Sequence, residues 1–224
     1  MRGKLIVIEG TDCSGKETQS KLLIEGLRNE GFKVENLSFP MYDTPTGKII
    51  GGPYLGKSEI CESWFPETAP AVDPKVAALY YAADRKYNMT KINKLLDQGI
   101  NVVLDRYVYS NMAHQGCKIK DTKERLNMYA WLDILEFKLL ELPKPDIAIF
   151  LHMPTQFANK LKLNRKELDD NEKDEDYLKD AENAYIELSS VYRWKTIECV
   201  ETELKTINTI HNEIIDYVRK KIGQ

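Results

Sequence analysis

The chain has 224 residues, with 32 Lys and Arg against 35 Asp and Glu and a formal net charge of −3; this length suits one domain able to bury roughly 70% of its unfolded surface, and the near-balance of charge supports neither nucleic-acid coating nor membrane binding. The first residues enter an apolar strand at once, without the charged and apolar regions of a leader, and no unbroken apolar run approaches the ~20 residues of a membrane span, so a cytoplasmic address is expected. Cys13, Cys61, Cys117 and Cys199 lie far apart, without a C-x-x-C pair or histidines at zinc spacing, which argues against a disulfide framework or a zinc site.

In chain order, Lys4-Leu5-Ile6-Val7-Ile8-Glu9 reads as an apolar strand that runs into a glycine-bounded turn, Gly10-Thr11-Asp12-Cys13-Ser14-Gly15-Lys16. Gly10 and Gly15 stand at the spacing of G-x-x-x-x-G-K, the loop whose backbone N–H groups wrap nucleotide phosphates while the lysine reaches the outer ones. A helix from Lys16 to about Glu30 then aims its positive end at the bound anion. The residue after the lysine should carry a hydroxyl for Mg²⁺, yet Glu17 stands there and Thr18 is displaced by one, a turn of roughly 100° on a helix. Either water and other carboxylates hold the metal, or Glu17 points away from it.

Further strands are expected at Val34–Phe39, Val102–Asp105, Ile147–His152 and Thr196–Val200, with the first at Leu5–Glu9. Helical periodicity marks Pro74–Gln98, Lys123–Glu141, Pro154–Asn164, Glu175–Ser190 and Ile207–Lys221. Gly31 and Gly99 fall where helices should stop. Short β-branched runs alternating with long helices give a doubly wound α/β fold, a parallel sheet with helices on both faces. Residues 40–74, rich in Gly, Pro, Thr and Asp, read as a long excursion with at most a short helix. Residues 160–176 put Lys160, Lys162, Arg165 and Lys166 before a strongly acidic run, which fits a solvated surface helix or a lid that brings cations over phosphate.

In open parallel sheets ligands sit outside the carboxyl ends of the strands. The first strand is followed there by Asp12 and Lys16, the second by Phe39-Pro40, and the third by Asp105-Arg106-Tyr107, Ser110, Asn111, His114 and Gln115. Asp105 fits a carboxylate that helps hold Mg²⁺, and Arg106 can fork onto a phosphate. Tyr81 and Arg85, four apart on one helix, share a face, and an aromatic plane beside a guanidinium suits a nucleotide base.

Taken together, Gly10–Thr18, Leu79–Arg85 and Asp105-Arg106-Tyr107 with Ser110 resemble the thymidylate kinase family of P-loop nucleoside monophosphate kinases. The resemblance extends through Phe39-Pro40, Gly47-Lys48, Tyr54-Leu55 and Pro145-Asp146. It implies a P-loop kinase fold with a five-stranded parallel sheet and a lid at about residues 160–176, ATP with Mg²⁺ as donor, dTMP as acceptor, dTDP as product, and a homodimer. By that resemblance the donor phosphates lie on Gly10, Thr11, Asp12, Cys13, Ser14, Gly15, Lys16, Glu17 and Thr18. Asp12 serves the acceptor sugar and, with Asp105, the metal. Arg106 lies between donor and acceptor phosphates. Phe39, Tyr81, Arg85, Ser110, Asn111, His114 and Gln115 surround the acceptor. Because Cys13-Ser14 supplies no arginine in the loop, the resemblance assigns the catalytic arginine to the lid, at Arg165.

The chain departs from the family at three substrate-facing places. Glu17 replaces the hydroxyl residue, Met41-Tyr42-Asp43-Thr44 follows Phe-Pro without the usual arginine, and His114 stands where an aromatic often crowds the sugar 2′ carbon. Two alternatives follow: a deoxynucleoside kinase or another monophosphate kinase, or a nucleotide-binding protein that no longer catalyses. The segment Met128-Tyr129-Ala130-Trp131-Leu132 is apolar enough for either a partner face or the core.

Overall fold

The computed structural model describes residues 1–11, 13–162 and 175–223. Asp12, Arg165 and most of the expected lid therefore lie outside the described residues. Five strands, β1 (Leu5–Gly10), β2 (Val34–Ser38), β3 (Asn101–Asp105), β4 (Ile147–His152) and β5 (Lys195–Glu198), form one sheet in the order β2-β3-β1-β4-β5. Every neighbouring pair is parallel. After β3 the chain crosses to the other side of β1, so the crevice outside the carboxyl ends of β1 and β3 lies where the winding reverses.

The central strand is buried along its whole length, as an apolar run in a parallel sheet must be. Alternation divides it between two cores. Leu5 and Val7 join Val102, Leu104 and Phe150 beneath α3 (Pro74–Asp97), α4 (Val108–Gly116), α5 (Thr122–Asp133) and α7 (Glu175–Val191). Ile6 and Ile8 join Val103, Ile149 and Leu151 beneath α1 (Lys16–Asn29) and α8 (Ile207–Ile222). Each fully buried Leu or Ile contributes about 1.5–3 kcal/mol by leaving water. A third cluster, Ile50, Tyr54, Ala69, Val72 and Ala77, supports the long excursion.

All five expected strands are present, with ends shifted by a residue or two. The excursion holds a short helix, α2 (Pro45–Ile49), which continues into a wider turn at Ile50–Tyr54. Two expectations need correction. Helix α4 lies in a stretch for which no element is expected: it is short and nearly every residue of it is buried, polar ones included, so no exposed polar face sets it apart. The expected helix Lys123–Glu141 is α-helical only to Asp133. Ile134–Leu139 then widens, with the Leu140 N–H donating to the Leu135 carbonyl five residues back at 2.9 Å. The helix expected from Pro154 is α6 (Thr155–Lys162), and its last residues lie outside the described chain.

Candidate active site

The turn after β1 is shaped by backbone constraints. A Cβ at Gly10 would sit 2.7 Å from the Leu151 carbonyl oxygen, so only glycine lets β1 run so close to β4. Gly15 caps α1 at φ 81, a left-handed conformation that costs glycine little. Among the described residues no side chain caps α1, so its first N–H groups face the turn as anion donors. The Thr11 carbonyl collects the Ser14 hydroxyl at 2.8 Å and Lys16 Nζ at 2.7 Å, which holds the ammonium inside the loop. Cys13 also has positive φ, at 58. Glu17 is exposed and pairs with Lys21 at 2.6 Å, so its side chain is turned outward; Thr18 is exposed as well.

Beside the loop, the carboxyl ends of the strands open into a cleft lined by aromatic and polar side chains, where ligands of parallel sheets bind. Phe39, Tyr81, Arg85, Arg106, Ser110, Asn111, His114 and Gln115 all line it. They lie just past β2 and β3 and on α3 and α4, and the pairing of β2 with β3 brings Phe39 to the others. Pro40, Tyr42, Tyr54, Leu55, Tyr107 and Tyr177 complete the wall. Tyr54 braces the edge of Tyr81, with ring centroids 5.9 Å apart at 88°. Met41 instead turns into the core, and its N–H donates to the buried Asp84 at 3.0 Å. Asp84 also accepts from the Thr46 hydroxyl at 2.7 Å and Asn88 Nδ2 at 2.9 Å, which fixes the excursion against α3.

Arg106 adopts φ 67, an uncommon conformation for a side chain with a Cβ. Its Nη1 lies 3.2 Å from His114 Nε2. A guanidinium can only donate, so Nε2 accepts and His114 Nδ1 carries the proton to the Tyr177 hydroxyl at 3.0 Å. The turn is held from beneath by Glu9, a fully buried carboxylate at the end of β1. Glu9 accepts from the Tyr107 N–H at 2.9 Å, the Ser110 N–H at 3.2 Å and the Ser110 hydroxyl at 2.5 Å. It therefore caps α4 from another strand. Burial pushes the Glu9 carboxyl above its ordinary pKa, against the hydrogen bond from Ser110, the charge of Arg106 and the Tyr107 N–H.

At the inner end, Arg85 is almost fully buried and forks onto Glu136, with Nη2 to Oε1 at 2.6 Å and Nε to Oε2. The remaining Nη1 lies 3.5 Å from the Tyr107 carbonyl. Asn111 Oδ1 and Gln115 Oε1 are buried without a hydrogen-bond partner among the described residues. A buried acceptor left unpaired costs about 1–3 kcal/mol, which marks these atoms as waiting for a ligand donor. Asp105 Oδ1 is likewise buried and unpartnered. It is in register with Ile8, close to the loop, and an unmatched carboxylate oxygen there suits a divalent cation or its water.

Sequence reasoning missed Glu9, Glu136 and Tyr177. A signal existed for two of them: Glu9 is the one charge in a run otherwise wholly apolar, and Glu136 follows Met128 and Leu132 at four-residue steps, on the stripe that faces the core. No comparable signal marks Tyr177, which comes from α7, just beyond the undescribed segment.

Comparison with known proteins agrees with this geometry. A family model for thymidylate kinase matches residues 8–214. The chain is similar to a thymidylate kinase of Plasmodium falciparum, 32% identical over 98% of this chain and 91% of that one. It is also similar to a probable thymidylate kinase of Methanocaldococcus jannaschii, 33% identical over 96% and 95%. The solved thymidylate kinase structure from Candida albicans superposes with a TM-score of 0.74 and 25% identity, over 98% of this chain and 92% of that one. A glycine-bounded loop with its lysine, a guanidinium beside it and a cleft of aromatic and polar side chains thus occur on a sheet and along a sequence shared with these enzymes, and the chain belongs to the thymidylate kinase family.

Proposed function

We propose that the chain transfers the γ-phosphoryl of ATP to dTMP, giving dTDP, with the residues of the cleft in the following roles. The single observation that carries the reading is the polar pattern at the inner end of the cleft: a second N–H on Arg85 Nη1, beyond the one toward the Tyr107 carbonyl, and an unpaired acceptor on Asn111. Thymine offers a ring carbonyl beside a ring N–H and matches that pattern. Cytosine offers an amino group beside a bare nitrogen and opposes it. Tyr81 supplies the stacking plane, worth about 1–3 kcal/mol, and Phe39, Gln115 and His114 close around base and sugar.

The reaction needs position and charge more than covalent chemistry. The acceptor phosphate is already ionised at neutral pH, so no strong general base is required. Lys16 and the N–H groups of the loop hold the donor phosphates. Arg106, fixed by Glu9 and Ser110, bridges toward the acceptor phosphate, and both cations neutralise charge that spreads over the transferring group. Asp105, with Asp12, would hold Mg²⁺, which when bound supplies further neutralisation of the phosphate oxygens. Arg165 is assigned as the lid's contribution, and residues 160–176 as the lid of a single kinase domain. ATP and dTMP are the proposed partners, with no nucleic acid or membrane among them.

Two outward stripes, Leu79-Ala83-Tyr87 on α3 and Leu126-Ala130-Ile134 on and beyond α5, favour a homodimer. Lys75 of α3 reaches over the Trp131 ring of α5 at 5.5 Å and links the two helices, while Met128, Tyr129 and Leu132 face the core. The four cysteines are free thiols, which suits a reducing compartment and the cytoplasmic assignment. No helix among the described residues is long and apolar enough to cross a membrane.

An ADP-release assay over dTMP, dUMP, dCMP, dGMP, UMP and thymidine tests the reading. The highest kcat/KM is expected for dTMP. A preference for thymidine over dTMP would instead identify a nucleoside kinase, and ATP binding with no transfer to any acceptor would identify a silent nucleotide-binding protein.

A further inference from the structure

Glu136 has no solvent exposure and does not line the cleft. It sits where α5 widens, among Ile134, Leu135 and Phe137, a place where an isolated carboxylate would be costly. Three donors share its two oxygens. Oε2 accepts from Arg85 Nε, and Oε1 accepts from Arg85 Nη2 at 2.6 Å and from Asn111 Nδ2 at 3.0 Å. Asn111 Nδ2 also donates to the Ala78 carbonyl at 3.1 Å.

Two consequences follow from hydrogen-bond bookkeeping. The fork of Arg85 is committed along its Nε–Nη2 edge; Nη1 has one N–H toward the Tyr107 carbonyl at 3.5 Å and the other left for the cleft, and the pair carries no net charge. Arg85 therefore reads a hydrogen-bond acceptor and does not compete with Arg106 for phosphate. The Asn111 amide cannot flip, because the groups facing its nitrogen, Glu136 and Ala78, are both acceptors. Its Oδ1, buried and unpartnered, is thereby presented to a ligand as an acceptor.

We propose that Glu136 is a positioning residue that sets base selectivity: by fixing Arg85 and the Asn111 amide together, it presents one donor and one acceptor to the same base edge. The inference rests on the nucleotide reading of the cleft. Without Glu136, Arg85 is an unpaired buried cation free to turn, and the donor edge is no longer fixed.

The test is Glu136→Gln, a near-isosteric change. An amide has one acceptor oxygen, so one of its two positions must face an Arg85 N–H with another N–H, and the fork is displaced. We expect the dTMP KM to rise about tenfold while kcat at saturation changes little, the signature of lost ground-state binding. The ratio of kcat/KM for dTMP over dCMP should fall by at least about tenfold. A purely structural role would lower the active fraction for both nucleotides and leave that ratio unchanged, and an unchanged ratio overturns the proposal. Should the wild-type protein itself fail to prefer dTMP over dCMP, the reading of the cleft fails, whatever the variant does. A second measurement needs no variant: in ¹⁵N-edited spectra of the wild-type protein, the Arg85 Nε–H should exchange slowly both with and without dTMP. Fast exchange in both states would show that Glu136 does not hold the guanidinium, and would overturn the proposal even if the variant does not fold.

Discussion

Ser110 donates to Glu9 from both its backbone N–H and its hydroxyl, at 3.2 and 2.5 Å, and so ties the first turn of α4 to the last residues of β1. Arg106 precedes that turn and the Gly10–Lys16 loop follows that strand, so one buried carboxylate sets the relation between the two cations proposed to bind phosphate. Burial alone would make such a carboxylate unfavourable, and it persists because α4 has no capping side chain of its own.

Glu9→Ala should therefore reduce stability by about 2–4 kcal/mol, since it strands buried N–H and hydroxyl donors at about 1–3 kcal/mol each. It should also lower kcat by releasing Arg106. Urea unfolding and steady-state rates check this together. A variant of unchanged stability would mean that α4 is capped in some other way.

Lys16→Ala removes the ammonium held by the Thr11 carbonyl but no part of either core. The expected loss of kcat is at least about 10²-fold, with a stability change near 1 kcal/mol. Near-normal turnover in a folded variant would displace the loop from its central role.

His114 is braced by Tyr177, with ring centroids 5.9 Å apart, and accepts from Arg106. An imidazole is smaller than a phenol ring and leaves more room at this wall of the cleft. Enlarging it to Tyr should raise the preference for dTMP over its 2′-hydroxyl counterpart by roughly tenfold, within the 1–3 kcal/mol that shape alone delivers. Competition assays with the two nucleotides measure the ratio. No gain in discrimination would mean that the sugar lies elsewhere.

His152 has a carboxylate at each ring nitrogen, Glu198 at 2.6 Å and Glu182 at 3.0 Å, so both nitrogens must donate and the imidazolium is favoured. The hydrogen bond to Glu182 is the main cause of its raised pKa, ahead of that to Glu198. Burial raises the Glu182 carboxyl, but the hydrogen bonds from His152 and Thr155 outweigh it and leave the pKa lowered. A raised histidine contributes stability in full below its ordinary 6.5 and loses it as pH rises through the folded value. A lowered carboxyl contributes above its ordinary 4.5 and loses this as pH falls through its own folded value. Between 4.5 and 6.5 both contributions are present. Unfolding free energy should decline above that window, and His152→Gln should flatten the decline. An unaltered slope would place the titration in another group.

Much of this molecule is legible in the sequence because its strands are buried runs with clear stops. Gly10, Gly15 and Lys16 mark the proposed phosphate loop by spacing alone, and helical phase puts Tyr81 and Arg85 on the one face of α3 that lines the cleft. What escaped reading depends on tertiary satisfaction. Helix α4 is buried all round and capped by a residue about a hundred positions earlier in the chain, so neither amphipathicity nor a local cap announces it. Glu136 is defined by its donors, Arg85 and Asn111, which come from two other helices. Met41 shows the limit of analogy: after Phe-Pro the backbone turns this side chain into the core, and Tyr42 takes the wall of the cleft.

The most direct measurement is a crystal structure with an adenosine–thymidine bisubstrate oligophosphate bound. The account predicts thymine against Tyr81 with its carbonyl on Arg85 and its ring N–H on Asn111, and a phosphate chain running past Arg106 to Lys16. Thymine bound outside this cleft, or phosphates that avoid the Gly10–Lys16 turn, would contradict it.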